Sequence, residues 1–150
     1  MDRIRPMRTS DIPRVAQLHS LAMGNSLWAQ LGERFLREIY RALMLSAHFR
    51  GYVYEEDDRV EGFIAGSINS KAMMKTAFLR RAPRLGIAAL LGLRNRKVAT
   101  QLLETIQYFE RSTSEVAEDV SAESLFCSFT PQLRGKRIAG HINKVLFDQM

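Results

Sequence analysis

The sequence predicts a fold of class α/β, with α and β elements brought together on one mixed sheet. Three observations carry this. A 3.6-residue apolar spacing governs residues 12–21 and 31–45; two apolar runs flank an acidic turn at residues 55–58; and a compact β-prone run, Ser124 to Thr130, leads through a glycine loop into a last amphipathic helix.

Taken in order, the alternation in Arg3 to Met7 suits a short first strand. Ser10 or Asp11 can cap the helix that follows, Pro13 fits its first turn, and Ile12, Val15, Ala16, Leu18 and Leu21 share one face until Gly24-Asn25 closes it. A second helix is expected from Leu31 to about Leu45, with Phe35, Leu36, Ile39, Tyr40 and Leu43 on one side and Arg34, Arg37 and Arg41 on the other. The period then changes. Gly51 to Glu55 and Arg59 to Ile68 read as a β-hairpin about the acidic turn.

From Ser70 to about Thr113 the helical pattern returns as an insertion, with breaks expected near Pro83 and Gly92 and with Val98, Leu102, Ile106 and Phe109 marking its last helix. Residues 112–123 form a polar connection. The strand Ser124 to Thr130 is ended by Pro131, and the final helix carries Ile138, Ile142, Val145 and Leu146.

At 150 residues, with neither a linker nor an internal repeat, a single domain is expected. The one cysteine, Cys127, cannot form an internal disulfide, and no secretory n-region and h-region open the chain, so a cytoplasmic location is expected. The longest weakly polar run, Leu85 to Leu93, is nine residues long, against roughly 20 needed to cross a bilayer. The net charge of +6 calls for an anionic partner or a solvated basic face. Its distribution is uneven: between Gly62 and Leu103 there is no acid, while Lys71, Lys75, Arg80, Arg81, Arg84, Arg94, Arg96 and Lys97 supply eight cations. Glu104, Glu110, Glu115, Glu118, Asp119 and Glu123 then restore acidity.

Residues Gln132 to Gly140 lie between an expected strand and an expected helix, so their N–H groups include the unpaired donors of a helix N-terminus. Gly135 permits close backbone approach, and Arg134, Lys136 and Arg137 add charge. Neither GxxxxGK[ST] nor GxGxxG is present there, which excludes the two standard nucleotide fingerprints and leaves an anion-binding turn or a simple basic loop.

The stretch FTPQLRGKRIAGHINKVL, Phe129 to Leu146, resembles the acyl-CoA motif of the GNAT superfamily of N-acyltransferases, Q/R-x-x-G-x-G/A on a strand, loop and helix. The match falls on Gln132, Gly135 and the position of Arg137, where the family has Gly or Ala. IRPMRTSDIPRVAQLH looks like the family's first strand and helix, LGERFLREIY like its second helix, and the hairpin with RVEGFIAGSI like strands two and three. The helical insertion at about 70–113 lies outside the resemblance. The resemblance implies a GNAT-like fold, an acetyl-CoA cosubstrate and a primary amine acceptor. Gln132, Leu133, Arg134, Gly135, Lys136, Arg137, Ile138 and Ala139 would hold the CoA pyrophosphate, and the backbone of Phe126, Cys127, Ser128 and Phe129 the pantetheine arm. The family's fold continues with a further strand, a helix and a closing hairpin, so the chain is expected to correspond to an N-terminal portion of such an enzyme.

Acyl transfer from a thioester to an amine needs a base, a polarised carbonyl and an acid for the leaving thiolate. The resemblance implies Glu123 as base, which requires burial to raise its pKa; Glu123 also suits a solvated carboxylate ending the polar connection. The amide of Phe129 or a neighbour would polarise the carbonyl, and the family's acidic tyrosine falls beyond residue 150. Tyr40, Tyr52, Tyr54 and Tyr108 read as core or strand-face residues. Cys127 reads as a small core residue rather than a nucleophile, His19 and His48 as neither ligands nor bases, and His141 as a neighbour of the loop. Scattered histidines give no metal-ligand spacing, so no metal is expected. Alternatives are a CoA-binding module without catalysis, or a peripheral membrane or nucleic-acid-binding protein using the basic segment 71–97; homo-oligomerisation through open sheet edges is a further expectation.

Overall fold

The computed structural model describes residues 3–93, 97–101, 104, 123–133 and 136–150. Strand β1 (Arg3–Pro6) and a 3-10 turn (Thr9–Asp11) precede helix α1 (Ile12–Ala22). A short helix α2 (Leu27–Gln30) leads to α3 (Glu33–Leu43), β2 (Phe49–Glu56), β3 (Arg59–Ser67) and the long α4 (Ser70–Gly92). Residues 97–101 and 104 are helical. Strand β4 (Glu123–Phe129), a 3-10 turn (Pro131–Leu133) and helix α5 (Ile138–Phe147) follow.

The chain is mixed α/β, and its described elements follow the expected order except that the short helix α2 stands between the two expected before the hairpin. Among the described residues the sheet has four strands in the order β1-β2-β3-β4, every pair antiparallel. The described sheet is therefore antiparallel throughout, in contrast to the mixed sheet expected, because each strand returns beside its predecessor. The β2–β3 turn explains the close pairing there: Asp57 and Asp58 both take positive φ, 47° and 61°. Such a two-residue turn matches the right-handed twist of the flanking strands, and aspartate tolerates it better than most residues.

Helices cover both faces of the sheet. On one face, α1, α3 and α4 bury Ile12, Val15, Leu18, Phe35, Ile39, Tyr40, Leu43 and Met73 against Val53, Phe63 and Ala65. On the other, α5 crosses back from the edge strand to lay Ile142 and Leu146 on Tyr54 and Ile64. With both faces covered, β3 carries the continuous buried run Phe63–Ala65, as a central strand should.

Several expectations are corrected. Helix α4 runs unbroken through Pro83 to Gly92. Proline removes one donor and crowds the carbonyl four residues earlier, which is that of Leu79; Leu79 and Pro83 are both exposed, so water can solvate the freed carbonyl. Leu21 faces solvent although it was placed on the apolar face of α1, and α2 had no counterpart in the sequence reading. Asp11 does not cap α1 with its side chain; its carboxylate accepts from the Arg8 N–H at 2.7 Å. Leu102, Ile106, Tyr108, Phe109, Arg94, Arg96 and the polar connection from 112 to 122 lie outside the described residues.

Candidate functional site

Strand β4 forms one edge of the described sheet. Its register with β3 pairs Phe129 with Gly62, Ser128 with Phe63, Cys127 with Ile64 and Phe126 with Ala65; Gly66 then pairs with Ser124, so Leu125 is bulged out. A bulge leaves one residue's backbone groups out of the ladder and bends the strand, and it recurs beside binding sites.

The four residues expected to border pantetheine alternate across the sheet. The Phe126 ring packs inward, its centroid 4.9 Å from that of His19 and 5.0 Å from that of Trp28. The buried hydroxyl of Ser128 donates to the Leu18 carbonyl at 2.9 Å and ties β4 to α1. Phe129 packs with Ile64 and Leu133 on the opposite face. Cys127 is exposed rather than a core residue, because its side of the edge strand extends past the cover of α5. Nearby protein still desolvates the thiol enough to push its pKa up. Any contact of Phe126 or Ser128 with a ligand therefore runs through backbone, since both side chains are committed to the interior.

The loop is partly described: Arg134 and Gly135 lie outside the described residues. Gln132 is exposed, whereas the Leu133 side chain is buried and its N–H already donates to the Thr130 carbonyl at 3.0 Å. The Lys136 N–H likewise donates to the Leu133 carbonyl at 3.1 Å, and the Lys136 ammonium pairs with Glu56 at 2.9 Å. Arg137 is exposed at the N-cap of α5. The N–H groups of Ile138, Ala139 and Gly140 belong to the first turn, which has no intrahelical acceptors, and Ala139 and Gly140 are exposed. Thr130, where β4 meets the loop, keeps a buried hydroxyl oxygen with no partner among the described residues. Among the described residues, the donors open to an anion are therefore concentrated at the start of α5. A phosphate fits there in both charge and donor set.

Glu123 heads β4 opposite Ser67 and is exposed. The burial that a base role requires of it is not provided by the described residues. Tyr40 is a core residue and Tyr52 and Tyr54 line the α5 face, as expected. His141 is exposed in the first turn of α5. Among the described residues no three His, Cys, Asp or Glu side chains are grouped to share an ion.

Two clusters escaped the sequence reading. His19 is fully buried, with Nδ1 2.8 Å from the Tyr40 hydroxyl and Nε2 3.3 Å from that of Ser26; burial lowers its pKa to about 4 and raises that of Tyr40 well above 10. The guanidinium of Arg5 bridges Asp11 and Glu55, which Arg3 also reaches. Alternating arginines in β1 were a signal for it, but their partner on β2 depends on register. A shallow concavity of about 460 Å³ lies on the outer side of α3 among Glu33, Arg34, Arg37, Glu38 and Arg41. Its charges largely satisfy one another, Arg37 with Glu33 and Arg41 with Glu38.

No family model, curated protein or solved structure matches the chain.

Proposed function

We propose that the chain binds acetyl-CoA or another acyl-CoA and belongs to an N-acyltransferase that passes the acyl group to a primary amine, as the GNAT-like motif of residues 129–146 implies. The observation that supports this most is the run from edge strand to open helix start. Strand β4 has an outer edge without a described partner, and ten residues beyond Phe129 the first turn of α5 presents Ala139 and its N–H to solvent. Pantetheine would pair with that edge, and the pyrophosphate would sit on the Ile138 to Gly140 amides beside Arg137.

The reaction forms a C–N bond at the thioester carbonyl carbon and breaks C–S; the amine loses a proton and the departing thiolate takes one up. Glu123 is the residue to test as base, receiving the amine proton directly or through water. Its exposure favours a second reading, in which the domain holds CoA without catalysis.

Calorimetric titration with acetyl-CoA and dephospho-CoA at two salt concentrations, paired with thiol release in the presence of primary amines, separates the readings. Saturable micromolar binding with thiol release supports the enzyme, and binding without release supports the module. No binding by a folded chain removes both. Dephospho-CoA retains the pyrophosphate, so it should still bind. Gly135→Asp, which adds a side chain and a negative charge three residues before Ile138 in the motif, should abolish binding.

A further inference from the structure

Helix α4 is apolar on two sides. Its inward side, with Met73, Ala77, Leu85 and Ala88, is buried against the core. The opposite side carries Leu79, Pro83, Gly86 and Leu90 at i, i+4, i+7 and i+11, with Ile87 alongside. At about 100° per residue, this stripe lies roughly 160° round the axis from the buried one. Leu79 is 72% exposed, Ile87 56% and Leu90 70%, in a part of the helix where solvent-facing positions are usually polar.

Cations border the stripe. Lys71 and Lys75 lie on one flank toward the start of the helix and Arg80 on the other, and none has an acid partner among the described residues; Arg81 and Arg84 lie nearer the buried side, Arg81 paired with Glu38. An apolar ridge with cations on both flanks is complementary to a flat surface that is apolar below and anionic above. Long basic side chains reach up to headgroup phosphates while leucines enter the acyl boundary. The stem is long enough, since a 23-residue helix measures about 34 Å. The carbonyl freed by Pro83 also needs water or a headgroup donor, which the interface supplies and the hydrocarbon core does not. No helix among the described residues is long and apolar enough to cross a membrane.

We infer that α4 is an interfacial helix that docks the domain onto an anionic lipid surface through Leu79, Ile87 and Leu90, flanked by Lys71, Lys75 and Arg80. The inference rests on α4 alone and is independent of acyl-CoA binding.

The test is cosedimentation of the full chain with vesicles of phosphatidylcholine alone and of phosphatidylcholine with phosphatidylglycerol. Binding to the anionic vesicles, weakened by salt, is expected, with little to phosphatidylcholine alone. Leu79→Ser with Leu90→Ser changes no charge and touches only exposed positions; it should weaken partitioning at least about tenfold. Lys75→Gln with Arg80→Gln should remove most of the salt dependence. Unchanged vesicle binding in the leucine variant overturns the inference, because charge alone then suffices. It is also overturned by failure of the folded chain to bind, by a lipid-free dimer that the leucine variant dissolves, or by oligonucleotide binding indifferent to the leucines in a chain that ignores vesicles.

Discussion

The imidazole Nδ1 of His19 lies 2.8 Å from the Tyr40 hydroxyl, joining α1 to α3 through a polar contact inside an otherwise apolar layer. Burial keeps the ring neutral, with a pKa of about 4 against its ordinary 6.5. Between these values the unfolded chain binds a proton that the native one excludes. The stability this provides is complete above pH 6.5 and is lost as pH falls toward 4, at up to about 1.4 kcal/mol per pH unit. Urea unfolding from pH 7.5 to 4.5 should trace that decline, and His19→Gln should flatten it; parallel curves for the two proteins would clear His19. Tyr40→Phe should cost about 1–3 kcal/mol at pH 7.5 by orphaning a buried ring nitrogen.

Two glycines in α4 should respond to alanine with opposite signs. Around Gly86 there is open space, so Gly86→Ala should stabilise by about 0.5–1 kcal/mol through helix propensity. A Cβ on Gly92 would overlap the Leu31 carbonyl, a backbone group that cannot swing aside. Gly92→Ala should therefore lower the thermal midpoint while Gly86→Ala raises it, and a rise in both would mean that the end of α4 is not seated on Leu31.

Arg5 lies between Asp11 and Glu55. Burial pushes the Asp11 carboxyl up, but hydrogen bonds from Arg5 and the Arg8 N–H outweigh it and hold it below its usual range. Hydrogen bonds from Arg3 and then Arg5 lower Glu55. Both pairs stabilise the fold above the ordinary carboxylate range, and that contribution fades as pH falls through the lowered native values. Arg5→Met should be less stable than the parent at pH 7, with the gap closing below about pH 4 as both carboxyls protonate. A pH-independent gap would assign the loss to packing.

Cys127, the chain's one thiol, reports on the proposed cofactor strand. Alkylation should be slow at pH 7 and quicken as pH rises, because partial desolvation raises its pKa. Saturating acetyl-CoA should slow it severalfold if pantetheine lies along β4. Equal rates with and without a demonstrably bound ligand would remove β4 from the site.

Helices α1, α3 and α5 were legible because their signal is local. Ile39, Tyr40 and Leu43 declare a buried face by spacing alone, and the acidic turn announces a hairpin whatever it packs on. At the candidate site, the strand, loop and helix were likewise legible, but not the capture of the Leu133 amide by Thr130 or of Lys136 by Glu56, since such pairing depends on how the loop folds back. Cys127 was misjudged for a related reason: an apolar run does not say that its strand lies at an edge.

By itself the sequence determined the strands and their order, the buried faces of α3 and α5 and the place of the hairpin turn, because periodicity and turn chemistry act over a few neighbouring residues. Tertiary structure alone decided the antiparallel order of the sheet, the burial of His19 against Tyr40, the bridging of Arg5 and the continuity of α4 through Pro83. Each of these turns on groups far apart in the chain, or on whether a backbone carbonyl faces protein or solvent, and neither is written in local spacing.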